Sequence, residues 1–192
     1  IEVFLYSFIF FSILGWSIWA TTRQQNLPLN ISDGFIITTL FWVVLACAGS
    51  IPFYFFGLSF NDAIFESVSG ITTTGATLIV GLDDLPKSLL LYRQLLQWIG
   101  GMGLIILAVA VMPALGIGGS QLYKMELPGS HGNQKLTPKI TDSAKALWKI
   151  YFGLTLACAL LYILSGMDLF DAIAHSLSTV AGGGFSTHDN SI

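Results

Sequence analysis

Four apolar runs of helical length constrain this chain more than any other feature. They extend from about Val3 to Ala20, Phe35 to Gly57, Ser88 to Met112 and Ala144 to Gly166. A helix needs ~20 apolar residues to cross a bilayer, so each run is expected to span one. Composition agrees. Of 192 residues, 54% are hydrophobic and only 10% charged, where soluble domains carry about 25% charged residues. Mean hydropathy is +0.73. The chain therefore reads as an all-α integral membrane protein with membrane lipid around it. A net charge of −3 without a basic block argues against nucleic acid as a partner. Cys47 and Cys158 lie inside apolar runs without metal-ligand spacing and are expected to be small buried apolar residues. The chain opens on Ile1 without an initiator Met or a signal-peptide n-region, and it ends just past a glycine-rich turn. It is expected to be an internal part of a longer protein.

Two short stretches do not fit the pattern of spans. Between the second and third runs, Asn61 to Gly70 suits a short helix, with Asn61 or Asp62 as its cap. It leads into the string "ITTTGAT", whose β-branched threonines and glycine disfavour helix. After the fourth run, "MDLFDAIAHSLSTVAGGGFSTHDNSI" repeats the design: an acidic cap, a short helix, a glycine-rich string. The two stretches align without gaps at an offset of 109 residues. Asp62, Ala63, Ile64, Ser67, Ser69 and Gly75 match Asp171, Ala172, Ile173, Ser176, Ser178 and Gly184, six identities within fifteen positions. That is an internal repeat.

If each short stretch dips in and returns on one side, the chain crosses fully twice between them. Both dips then enter from the same face, and the repeat is parallel, about an axis along the membrane normal. Arg23, Lys124, Lys135, Lys139, Lys145 and Lys149 fall on one face, and Lys87 on the other. The first face is expected to be cytoplasmic. The outer face then carries Asp62, Glu66, Asp83, Asp84, Asp168, Asp171 and Asp189, a vestibule that would concentrate cations. Non-helical backbone at membrane depth is tolerated only where protein buries it or it lines a watery cavity. Carbonyl oxygens of such a string can replace the hydration shell of a small cation. The strings thus look like walls of an ion selectivity filter rather than linkers.

The stretches "DAIFESVSGITTTGAT", "LPKSLLLYRQLLQWIGGMGLIILAVAVMPALGIGG", "KLTPKI" and "DAIAHSLSTVAGGGFSTHD" resemble the Trk-type potassium uptake proteins of bacteria, within the Trk/Ktr/HKT superfamily. The resemblance covers essentially the whole chain. It implies four fused helix–pore loop–helix units of potassium-channel type with re-entrant loops, and one filter glycine per unit, here Gly75 and Gly184. The resemblance makes Thr72, Thr73, Thr74 and Gly75, with Ala181, Gly182, Gly183 and Gly184, half of a potassium filter. Where many relatives carry a threonine, this chain has Gly182. Residues 1–20 would be a transmembrane helix ahead of the repeats, 35–112 the first repeat, and 113–141 a cytoplasmic linker. Residues 142–192 would be the first helix and pore loop of the second repeat. The second half of the filter ring and the interrupted gating helix of the third repeat would lie outside this chain. The resemblance further implies potassium ion as the transported species and a multi-pass protein of the bacterial cytoplasmic (inner) membrane. A homodimer and a cytoplasmic nucleotide-binding regulatory subunit are implied as partners.

Other features carry less. Arg93, Gln94 and Gln97 share the third run with Gly100, Gly101 and Gly103. A structural role is expected for Arg93, paired with an outer-face acid, and close helix packing for the glycines. Gly116 to Ser120 reads as a cytoplasmic turn, and Gln121 to Thr141 as a basic loop open to a partner. His131, His175 and His188 lack metal-ligand spacing, and His175 aligns with Glu66 and should pack behind the second string. No nucleophile–base or paired-carboxylate constellation stands out, so no enzyme is expected. Two alternatives to potassium uptake stay open: a sodium-coupled or sodium-permeable relative, and a non-conducting structural subunit.

Overall fold

The apolar runs are helices of membrane length. The computed structural model describes residues 2–23, 31–111 and 136–191, with the stretches 31–35, 106–111 and 136–143 described by backbone alone. The turn expected at Gly116–Ser120, the basic loop from Gln121, His131, Lys124 and Lys135 lie outside the described residues. Helix α1 is Glu2–Thr22 and α2 is Ile31–Phe55. Next come a short helix, α3, at Phe60–Ile71 and one 3-10 turn at Leu82–Asp84. The series closes with α4 at Lys87–Val111, α5 at Leu136–Leu164 and a second short helix, α6, at Leu169–Ala181. Among the described residues there is no strand.

Among the described residues, three helices are long and apolar enough to cross a membrane: Glu2–Thr22, Ile36–Phe55 and Ala144–Leu164. Helix α4 has 25 residues, about 37 Å at 1.5 Å per residue, but it carries Arg93, Gln94 and Gln97. All three are buried against protein. By contrast α1 buries none of its residues. Helix α5 starts at Leu136, within the stretch expected to be linker. Pro138 falls in its first turn, where a missing N–H costs nothing.

Helices α3 and α6 have 12 and 13 residues, about 18–20 Å and too short to cross. Ala63, Glu66, Ser67 and Gly70 form the buried stripe of α3, at the spacing of one helix face. The cap of α3 differs from expectation, whereas α6 has the acidic cap expected of it. Ser59, not Asn61 or Asp62, caps α3: its Oγ accepts from the Asp62 N–H at 3.3 Å and donates to Asp62 Oδ2 at 2.7 Å. The cap thus lies two or three residues earlier than expected. Asp168 caps α6 by accepting from the Phe170 N–H at 3.1 Å.

The offset of 109 residues recurs in the backbone. Leu58 N–H bonds Phe53 O and Gly57 N–H bonds Tyr54 O, and Met167–Tyr162 and Gly166–Ile163 repeat both bonds. These are Schellman closures of α2 and α5, with Gly57 and Gly166 left-handed at φ 102° and 94°. The short helices close in the same way. Thr74 N–H bonds Ser69 O and Thr73 N–H bonds Gly70 O, matched by Gly183–Ser178 and Gly182–Thr179. The helix–short helix–string unit is therefore built twice.

Helix α4 lies between the two units. Gly100 faces the end of α3, where an added Cβ would strike the Ile71 carbonyl. Gly101 faces the end of α6, where a Cβ would lie 3.1 Å from that of Ala181. Two adjacent glycines thus seat the ends of both short helices. On the other side of α3, Ser67 Oγ donates to Ala46 O at 2.7 Å, and a Cβ on Gly49 would come 2.5 Å from that hydroxyl. Cys47 is exposed and Cys158 half-exposed, not buried as expected. An apolar residue on a membrane helix is equally at home against lipid and against protein.

Candidate functional site

Each string begins where its short helix turns left-handed. In the first, Thr73 has φ 55° and Gly75 φ 79°; in the second, Gly182 has φ 70° and Gly184 φ 81°. The pattern is the same at the 109-residue offset, with one ordinary residue between two left-handed ones. Thr73 holds this conformation against a Cβ penalty of about 1–2 kcal/mol, which Gly182 avoids. Gly182 is thus accounted for as the residue that closes α6. A Cβ there would meet nothing within 4 Å.

The strings touch. The Gly183 carbonyl lies against Gly75, so that any Cβ at Gly75 would collide with it. Thr72 Oγ1 donates back to Val68 O at 2.7 Å and pairs with Thr74 Oγ1 at 2.8 Å. The candidate residues of both loops are therefore brought side by side at the ends of α3 and α6. These ends carry the negative pole of each helix dipole, which favours a cation.

The carbonyls fall into two groups. Just past each glycine they are held by side chains: Ala76 O accepts from Ser69 Oγ at 2.5 Å, and Phe185 O from Gln94 Nε2 at 3.0 Å. These two positions are again 109 apart. Among the described residues, no hydrogen bond reaches the carbonyls of Thr72 to Gly75 or of Ala181 to Gly184. Backbone carbonyls held at membrane depth need a partner.

Behind the strings lies a buried polar layer. Glu66 is fully buried, so it does not belong to the exposed vestibule. Its Oε1 accepts from Thr77 Oγ1 at 2.5 Å and from the Leu78 N–H at 2.6 Å. His175, at the equivalent place on α6, is buried with its Nε2 3.0 Å from Thr187 Oγ1. Each short helix thus braces the chain beyond its string. The sequence paired Glu66 with His175 by alignment but gave no sign that both would grip a threonine.

Beyond the strings, acidic side chains tie the two loops together. Asp189 accepts from the Gly81 and Leu82 N–H groups at 3.0 and 3.1 Å. His188 pairs with Asp83 through Nδ1 and lies 3.2 Å from Asp171 Oδ2 through Nε2. The bond to Asp83, then that to Asp171, raises the His188 pKa above its ordinary value. The same His188 bond lowers that of Asp83.

Comparison with known proteins places this arrangement. The family model described as "TrkH: Cation transport protein" matches residues 1–192. The Trk system potassium uptake protein TrkH of Vibrio parahaemolyticus is 55% identical over 192 residues, covering 98% of this chain and 40% of that protein. TrkH of Escherichia coli K12 is 52% identical over 194 residues, covering all of this chain and 40% of that protein. The crystal structure of the potassium transporter TrkH from Vibrio parahaemolyticus superimposes with a TM-score of 0.83 at 50% identity. It covers 98% of this chain and 37% of that one. The chain spans about two fifths of the length of the curated relatives it matches. Its all-α fold is shared with that transporter structure over 98% of this chain. The chain belongs to the TrkH family of cation transport proteins.

Proposed function

We propose that this chain supplies two of the pore strings of a potassium uptake protein. Thr72 to Gly75 and Ala181 to Gly184 form half of its selectivity filter. The observation that carries the reading is the division among the carbonyls. Those beyond the glycines are held by protein donors, whereas those of the two strings receive none among the described residues. A dehydrated cation is the partner such oxygens suit. The alternation of left-handed and ordinary residues breaks the pleat of a strand and lets successive carbonyls share one side. Potassium as the cation rests on the names of the relatives, which are potassium uptake proteins.

The same reading makes the chain a multi-pass part of the bacterial cytoplasmic membrane. The face bearing Lys145 and Lys149 is inside, and the strings enter from outside. Residues 1–20 form a helix ahead of the repeats, 35–112 the first repeat, 113–141 a cytoplasmic linker and 142–192 the start of the second repeat. Its work is passive ion movement rather than catalysis. It acts as a homodimer with a cytoplasmic nucleotide-binding regulatory subunit, as the family resemblance implies. The test is rubidium uptake, as a tracer for potassium, in cells deprived of their own potassium uptake and expressing the full-length protein. Saturable rubidium uptake that potassium competes away is expected. Uptake that sodium competes away equally well would favour a sodium-permeable relative, and no uptake a non-conducting subunit.

A further inference from the structure

Three polar side chains on one face of α4, Arg93, Gln94 and Gln97, are each 0% exposed. Polar groups at membrane depth are costly unless partnered, and here the partners are the far ends of the two strings. Arg93 Nη2 donates to Thr77 Oγ1 at 2.9 Å, two residues past Gly75. Arg93 Nη1 donates to the Ser186 carbonyl at 3.2 Å, two residues past Gly184. Its Nε faces Glu66 Oε2 at 3.4 Å, and its guanidinium lies 4.3 Å from the ring centre of Phe185. Gln94 holds the Phe185 carbonyl. Gln97 Oε1 accepts from the Phe185 N–H at 3.1 Å and from Ser178 Oγ at 2.7 Å. Gln97 also fills the space where a Cβ of Gly183 would be.

We infer that Arg93 and Gln97 are positioning residues that fix the two strings relative to each other and so set the discrimination between cations. The inference rests on the filter reading above. Arg93 spans both strings because the guanidinium presents separate donors in a rigid fork, whereas a lysine ammonium is a single point charge. Lysine would keep the charge opposite Glu66 and lose the bridge. Gln97 works through one atom. Its Nε2 has no hydrogen-bond partner, so glutamate retains the working acceptor, whereas methionine retains the bulk alone.

The experiment measures potassium-over-sodium discrimination of the full-length protein carrying Arg93→Lys, Gln97→Met, Gln97→Glu or, as reference, Gly75→Ser. Membrane insertion is measured alongside. Discrimination should fall at least fivefold in Arg93→Lys and Gln97→Met, and Gln97→Glu should restore most of it. A buried residue that served folding alone would show these losses in insertion, not in ion preference. If one of the two sites fails to insert, the other decides. Wild-type discrimination in inserted Arg93→Lys and Gln97→Met, while Gly75→Ser loses it, overturns the positioning role and leaves the filter standing. Equal losses in Gln97→Met and Gln97→Glu overturn the role of the acceptor. Unchanged discrimination in Gly75→Ser as well means that the filter reading has failed, and the inference falls with it.

Discussion

Glu66 Oε2 and Arg93 Nε lie 3.4 Å apart with neither side chain exposed. The pair joins a short helix that does not cross the membrane to the long helix α4 beside it. Breaking one member of a buried pair strands the other charge, at a cost of about 3–5 kcal/mol. Glu66→Gln should therefore lower thermal stability in detergent strongly. Glu66→Gln combined with Arg93→Gln should recover part of the loss, because no uncompensated charge remains. Additive losses in the double variant would mean that the two residues are not coupled.

Gly100 and Gly153 should respond in opposite ways to alanine. A methyl at Gly100 strikes the Ile71 carbonyl at the end of α3, whereas one at Gly153 meets nothing within 4 Å among the described residues. Gly100→Ala should destabilise by about 1–3 kcal/mol, as overpacking does. Gly153→Ala should be neutral or gain up to about 1 kcal/mol from helix propensity. Thermal unfolding of the two variants compares them directly.

His188 links Asp83 and Asp171 beyond the strings and is 46% exposed. Its pKa is raised, so its contribution is complete below the unfolded value of about 6.5 and is lost as pH rises through the folded value. Asp83 is shifted down, so its contribution is present above its unfolded value and is lost as pH falls through the folded one. The latch is thus strongest between the two ranges. Unfolding temperatures measured from about pH 6 to 9 should show the wild type losing its advantage over His188→Gln as pH rises. A constant difference across that range would contradict the latch.

Gly182→Thr should be tolerated. Thr73 already holds the same left-handed conformation at the equivalent place, and a Cβ at Gly182 meets open space. The expected cost is about 1–2 kcal/mol of backbone strain, with ion preference retained. Loss of insertion would show that Gly182 does more than close α6.

Much of this architecture could be read from residue order. The spans announced themselves by length, and the offset of 109 exposed the repeated unit. That same offset also pairs Gly57 with Gly166 and Ser59 with Asp168. Those pairs marked the closures of α2 and α5 and the true cap of α3, yet the acidic residues drew attention one turn too late. The burial of Glu66 and the exposure of Cys47 were not legible. Helix faces against lipid and against protein are both apolar, so composition does not tell them apart. A lone acid within a short helix reads as solvated until its arginine is seen beside it. The pairing of Arg93 with an acid was legible in outline and falls to Glu66; its two string targets, 16 and 93 residues away, were not.

The central claim is that the two strings discriminate between cations. Gly75 tests it most directly, because its left-handed backbone and the Gly183 carbonyl against it leave no room for a side chain. The measurement is the potassium-over-sodium ratio of flux through the full-length protein carrying Gly75→Ser, at normal membrane expression. A displaced string changes coordination, and ~1.4 kcal/mol of lost preference is tenfold. The account predicts a fall of that order or more in an inserted protein; an unchanged ratio would contradict it.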